Sequence, residues 1–299
     1  MRCSLLCVTL AALGFSLFGS SLTLADDLFP DKVLESAVRK HVFEKRNNKE
    51  PLTEKDVENI STVSYKGFTF TLDGKRVERK EKIKDLRGLE KCRSLRELDL
   101  EENEITDLTP IKDLKEIQSL TLAHNKITDI KPLEGLVKLQ YLQLEYNQVK
   151  DISVVAKMEN MKSLYLTNNQ ITDISPVANL TKMWSLYLGG NKIKDLSPIA
   201  KLKFLDTIGL EGNGLKDITP LSNLAPSRFL FLQDNELENL NVLIQMAKKD
   251  SEEKDPAKRR YFPLFWNVYL NGNPLNDEAK TKQLAELKKY SNPERIFFD

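Results

Sequence analysis

Hydrophobic residues recur along this chain in a short, repeated arrangement. Leu98 and Leu100 flank a single polar residue, and the pair returns as Leu120/Leu122, Leu142/Leu144, Leu164/Leu166, Leu186/Leu188, Ile208/Leu210 and Leu230/Leu232. Alternation of this kind puts both side chains on one face of a short strand. Ile105, Leu108, Ile111, Leu114 and Ile117 follow the first pair and fill the rest of a coil's interior. The polar counterpart is a column of asparagines, Asn103, Asn125, Asn147, Asn169, Asn191, Asn213 and Asn235, each 22 residues after the last. Self-similarity at that period predicts a solenoid of stacked coils. Each asparagine is expected to turn inward after its strand, donating to one coil and accepting from the next, because a buried amide has to be hydrogen-bonded.

The far side of each coil has its own signal. Thr109-Pro110, Ser175-Pro176, Ser197-Pro198 and Thr219-Pro220 read as an N-cap followed by proline at the first helical position. A short helical turn, 3₁₀ in type, is predicted there. One coil cannot bury its own apolar face, so the array folds as a unit and requires caps at both ends.

The flanks supply those caps. Residues 30–46 place Val33, Leu34, Ala37, Val38, His41 and Val42 at helical spacing, and Thr53 with Asp56 resembles a capping box opening a second helix. Residues 26–67 are therefore expected to form a helical N-terminal cap, with His41 packed into it. Residues 68–82 read as an inserted β-hairpin turning on two residues, Asp73-Gly74. The array proper is placed at 83–275. Within it the last asparagine, Asn273, comes 38 residues after Asn235, which leaves a charged insert at 247–262, expected to be a solvated loop. Residues 276–299 then read as a helix and a terminal strand, closing the other end. At the start, residues 1–25 form an apolar run ending Thr23-Leu24-Ala25, which predicts a secretory signal peptide cleaved after Ala25.

Composition narrows the function. Lys and Arg number 45 against 44 Asp and Glu, and loss of the leader brings the balance to zero. Bulk attraction to nucleic acid or to an anionic membrane is not indicated. Of the three cysteines only Cys92 lies beyond the leader, at a core position of the repeat, so it is expected to be a small buried hydrophobe. No phosphate loop or hydrolase motif is present, and the two histidines, His41 and His124, lie far apart. A row of aspartates, Asp107, Asp129, Asp151, Asp173, Asp195 and Asp217, suits backbone turns better than a metal. No catalytic residue, cofactor or metal site is predicted.

Chemistry is concentrated on the outward strand positions. The central column runs Asp99, Thr121, Gln143, Tyr165, Tyr187, Gly209, Phe231, Tyr269, and the column before it contains Glu97, Tyr141 and Phe229. Trp184 and Trp266 each precede a strand. The face is thus acidic at Glu97, Asp99 and Glu101, and aromatic at Tyr165, Trp184, Tyr187, Phe229, Phe231, Trp266 and Tyr269. Aromatics are the usual anchors of protein interfaces. The predicted function is protein binding on this face, with a glycan as the alternative ligand.

The unit L-x-x-L-x-L-x-x-N-x-L with its I-T-D-I-x-P-L ending resembles the internalin-type leucine-rich repeats of bacterial secreted proteins. The resemblance covers about half the chain as full repeats and implies a right-handed α/β solenoid with a parallel sheet on its concave side. The 22-residue period also resembles phosphatase-regulator arrays, but the leader argues against a cytoplasmic regulatory subunit. Many internalins carry an immunoglobulin-like domain and a wall-anchor motif after the repeats. Neither is seen before Asp299, so host-cell adhesion is not carried over.

Overall fold

The computed structural model describes residues 27–71, 73–224, 228–255 and 266–298. The predicted leader lies outside the described residues, as do residues 256–262 of the charged insert and the three that follow it. Among the described residues, ten short strands form one parallel sheet in chain order. They are β1 (Thr62–Ser64), β4 (Glu97–Asp99), β5 (Ser119–Thr121), β6 (Tyr141–Gln143), β7 (Ser163–Tyr165), β8 (Ser185–Tyr187), β9 (Thr207–Gly209), β10 (Phe229–Phe231), β11 (Asn267–Tyr269) and β12 (Ile296–Phe297). The two strands skipped, β2 (Phe68–Phe70) and β3 (Arg76–Glu78), pair only with each other.

The register is in phase throughout. Leu98 lies beside Leu120, then Leu142, Leu164, Leu186, Ile208, Leu230, Val268 and Ile296. A slip of one residue anywhere would turn this aliphatic row to solvent, so burial enforces the register. Behind the strands, 3₁₀ turns recur at Thr109–Ile111, Lys131–Gly135, Ser153–Lys157, Ser175–Asn179, Ser197–Lys201 and Thr219–Asn223. Between sheet and turns runs one continuous core, which includes Cys92; burial pushes its thiol up to about 12.

The asparagine column bridges neighbouring coils, but in a direction different from the expected one. Asn147 Nδ2 donates to Leu144 O of its own coil and Leu122 O of the preceding one, and its Oδ1 accepts from Ile127 N of that same preceding coil. Both ends of each amide therefore reach backwards. Asn103, Asn125, Asn169, Asn191, Asn213, Asn235 and Asn273 make the corresponding bonds. The residue before each asparagine holds the chain in the left-handed region, as Glu102, His124, Tyr146, Asn168 and Asp234 or as a glycine. That turn swings the asparagine inward.

The outer turns are capped by a residue other than the one expected. Each begins at the Ser, Thr or Lys itself, and the acceptor is the aspartate two residues earlier. Oδ1 of Asp107, Asp129, Asp151, Asp173, Asp195 and Asp217 accepts from Thr109, Lys131, Ser153, Ser175, Ser197 and Thr219 N at 2.7–2.8 Å. The proline then falls at the second position, where its missing N–H is no loss. This satisfies the aspartates without a metal, and among the described residues no group of three or more His, Cys, Asp or Glu is placed to hold one.

The ends depart from the sequence expectations in four ways. Helix α1 (Lys32–Arg39) buries Leu34, Ala37 and Val38 but stops before His41, which is exposed, and α2 (Glu54–Val57) follows from the Thr53–Asp56 capping box. β1 lies inside the stretch 26–67 and joins the main sheet beside β4, so the first coil begins before the hairpin rather than after it. The hairpin does not close tightly around Asp73-Gly74: its last backbone bonds are Thr71 N to Lys75 O and Gly74 N to Thr71 O, with Gly74 in the left-handed region at φ 80°. Finally, Ala247–Glu252 is helical rather than loop. It continues α3 (Asn241–Glu252), which buries Leu243, Met246, Ala247 and Asp250. Beyond β11, Asn276 Oδ1 accepts from Ala279 N, and a π turn (Ala279–Gln283) leads into the helix Leu284–Tyr290.

Candidate functional site

With the leucines inward, the intervening residue on each strand must point out of the sheet. From β7 onward these outward residues stack on one another. Tyr165 and Tyr187 lie 4.9 Å apart between ring centroids and 12° from parallel. Phe231 and Tyr269 are 4.8 Å apart, and Tyr269 and Phe297 4.5 Å, again nearly parallel. The strand spacing of about 4.8 Å sets this distance, so in-register aromatics become a ladder without further design. Tyr141 leans onto Tyr165 from the neighbouring column at 5.2 Å, and Phe229 sits 6.3 Å from Phe231. Burial in this row raises Tyr187, and pushes Tyr141 up to about 12.

The ladder lacks one rung. At β9 the outward residue is Gly209, and the rings on either side, Tyr187 and Phe231, lean across it to a separation of 6.1 Å at 33°. A Cβ at Gly209 would lie 2.8 Å from Tyr187 Cδ1 and 3.1 Å from Glu211 Oε2, and one at Gly189 only 2.1 Å from Glu211 Oε1. Gly209 therefore needs glycine for its close approach to the Tyr187 ring, while at Gly189 the clash is only with the movable Glu211 side chain. The Glu211 carboxylate lies across these two glycines, and desolvation raises its pKa. Glu145, further along the same outward column, is also raised by burial, against the Nε2–H that Gln143 donates at 2.6 Å.

The acidic end is less free than the sequence suggests. Lys66 Nζ sits 3.3 Å from Asp99 Oδ2 and 2.8 Å from Glu101 Oε2, and the Arg76 guanidinium of β3 pairs with Glu102. Hydrogen bonding to Glu101 raises Lys66. Gly67 packs against the Glu102 carbonyl and Lys66 leads into the hairpin, so the inserted arm is tied to this end of the face. Glu97 is exposed and has no ion pair among the described residues.

The two tryptophans occupy the same repeat position and part company. Trp184 is 51% exposed, whereas Trp266 is fully buried in the core and cannot serve as a contact residue on the face. The reason is the broken period. Before β11 the regular outer turn is replaced by the longer helix α3, so the position preceding the strand has a different environment. Tyr165, Tyr187, Phe231 and Tyr269 come together as expected, with Phe229 beside them. Sequence reasoning missed Phe297, which extends the ladder onto the terminal strand. It is 38% exposed. Its signal was the alternation in Ile296-Phe297, too short to fix a register.

Comparison with known proteins places this arrangement. Family models for leucine-rich repeats match residues 93–149 and 157–174. The crystal structure of internalin C2 from Listeria monocytogenes str. 4b F2365 is 32% identical, covers 73% of this chain and 91% of that one, and superposes with a TM-score of 0.64. Internalin F of the same strain is 22% identical over 91% of each chain, with a TM-score of 0.44. A leucine-rich-repeat protein of Leptospira interrogans shares the fold at 22% identity and a TM-score of 0.53, covering 72% of this chain and 57% of that one. No curated protein matches the chain by sequence. Leucine-rich-repeat proteins typically serve as non-enzymatic scaffolds for protein–protein interaction. With an in-phase 22-residue array and a 32%-identical internalin matched along nine-tenths of its length, this chain belongs to the internalin-type leucine-rich-repeat proteins of bacteria.

Proposed function

We propose that the protein is exported from the cell and binds another protein on its sheet face, without catalysis. One observation carries this reading: the aromatic row Tyr165, Tyr187, Phe231, Tyr269 and Phe297, half-buried to exposed and continuous over the last six strands save at Gly209. An apolar row of that length on a surface marks an interaction site. Trp184 and Phe229 flank it. The stacking supports a protein over a glycan. Away from the gap at Gly209 the ring faces are already occupied by neighbouring rings, so edges and hydroxyls are presented rather than a row of open faces that a sugar would stack on.

Export rests on the apolar run of residues 1–25. Among the described residues no helix is long and apolar enough to cross a membrane. Mass spectrometry of the native protein should show an N-terminus at Asp26; an intact Met1 would refute cleavage. The binding surface is tested with the double substitution Tyr187→Ala, Phe231→Ala. Partner captured from the native secretome should bind the folded double variant at least about tenfold more weakly, since interface aromatics commonly carry more than about 2 kcal/mol. Unchanged affinity in a variant with wild-type circular dichroism would overturn the site.

A further inference from the structure

The missing rung at Gly209 coincides with a second irregularity. Buried acceptors in proteins are nearly always paired, yet Glu211 Oε2 and Gln233 Oε1 are both enclosed and have no hydrogen-bond partner. They occupy the same outward column on adjacent coils, beside Gly209 and Phe231 respectively. Two unpaired acceptors, one of them a carboxylate, thus adjoin the single place where the aromatic ladder is interrupted. All other close rungs along the central column are nearly parallel and closed at 4.5–4.9 Å; here the rings are tilted and 6.1 Å apart.

We propose that this notch receives one arginine side chain of the bound protein, its guanidinium sandwiched between Tyr187 and Phe231 over Gly209 and donating to Glu211 and Gln233. The dimensions allow it. A planar group between two rings needs about 7 Å, twice the contact distance of roughly 3.5 Å. The strands bearing Tyr187 and Phe231, β8 and β10, are two spacings apart, roughly 9–10 Å. The rings lean inward from that spacing, so side-chain rotation alone opens the slot and the backbone stays in place. A guanidinium presents several N–H donors in one plane, which suits two acceptors side by side, and it stacks on aromatic faces. An ammonium, a point charge without a plane, fills the slot less well. Desolvation raises the Glu211 pKa, and a cation brought against the carboxylate would offset that cost. Glu145 adds negative potential along the same column, while Asp99 and Glu101 already hold Lys66.

This proposal rests on the sheet face being a protein-binding surface and specifies the side chain it takes. Its test needs no partner. The full protein is titrated with N-acetyl-arginine amide and, separately, with the neutral isostere N-acetyl-citrulline amide, monitored by NMR at the Gly209 amide and the Tyr187 and Phe231 rings. Saturable shifts at those positions with the arginine compound, absent with the citrulline compound and weakened at least tenfold in Glu211→Gln, are expected. Equal responses to the two compounds, no saturable response, or a response centred on Glu97 and Asp99 would overturn it. If the notch fails while the Tyr187→Ala, Phe231→Ala variant still loses its partner, the larger reading of the face stands without it.

Discussion

At β4 and β5 the sheet face carries Glu97, Asp99 and Thr121, with Lys66 and Arg76 drawn onto its carboxylates; at β7 to β12 it carries a ladder of rings broken once by glycine. Beneath the two halves nothing changes. The leucine rows continue in register, and Asn125 makes the same bonds as Asn213. The difference teaches that inward positions decide whether the coils stack and outward positions are free to vary. Chemistry can therefore be written on this scaffold residue by residue with little cost to folding. The ion pairs at the acidic end are only partly shielded from solvent and worth little individually, whereas the ladder commits large apolar area to solvent unless something covers it.

The sharpest way to break this division is the tryptophan pair. Trp266→Ala should cost about 3–5 kcal/mol by leaving a core cavity, while Trp184→Ala at the same repeat position should stay within about 0.5 kcal/mol. Urea denaturation midpoints decide it, and similar losses for both would mean that repeat position, rather than burial, sets the role. Next comes the polar spine. Asn169→Ala strands Val149 N–H and takes one of two asparagine donors from each of the Leu144 and Leu166 carbonyls, which keep Asn147 and Asn191, and roughly 1–3 kcal/mol of stability should be lost. Asn48→Ala, in an exposed loop of the N-terminal region, should be silent by the same assay.

A smaller effect concerns charge on the aromatic half. Burial raises the Glu211 carboxyl above its ordinary 4.5. The folded state therefore disfavours the charged form. It loses stability as pH rises from that ordinary value through the raised one, and bears the full penalty above it. Glu211→Gln should raise the melting midpoint near pH 7, with the difference from wild type closing near pH 4. A variant that melts lower at neutral pH would show that the carboxylate has a partner after all. Least in size is the acidic end. Lys66→Ala with Arg76→Ala should shift stability by less than about 1 kcal/mol. It should also speed association with a cationic partner at low salt, an effect that added salt would screen. Stopped-flow rates across a salt series would check this.

What could be read from the chain alone was whatever repeats. Leucine alternation, the 22-residue asparagine column and the Ser/Thr-Pro turns specify strands, spine and outer turns many times over, and the outward residues follow from the strands by alternation. The tertiary structure decided what occurs once or depends on neighbours. It buried Trp266 and exposed His41, turned Ala247–Glu252 into helix, drew β1 into the sheet ahead of the hairpin, and stacked Phe297 on Tyr269. It also brought the unpaired acceptors of Glu211 and Gln233 to the gap at Gly209. A periodic signal is averaged over seven coils and survives local exceptions, whereas the environment of a single side chain depends on which distant segments pack around it, and periodicity carries no record of those.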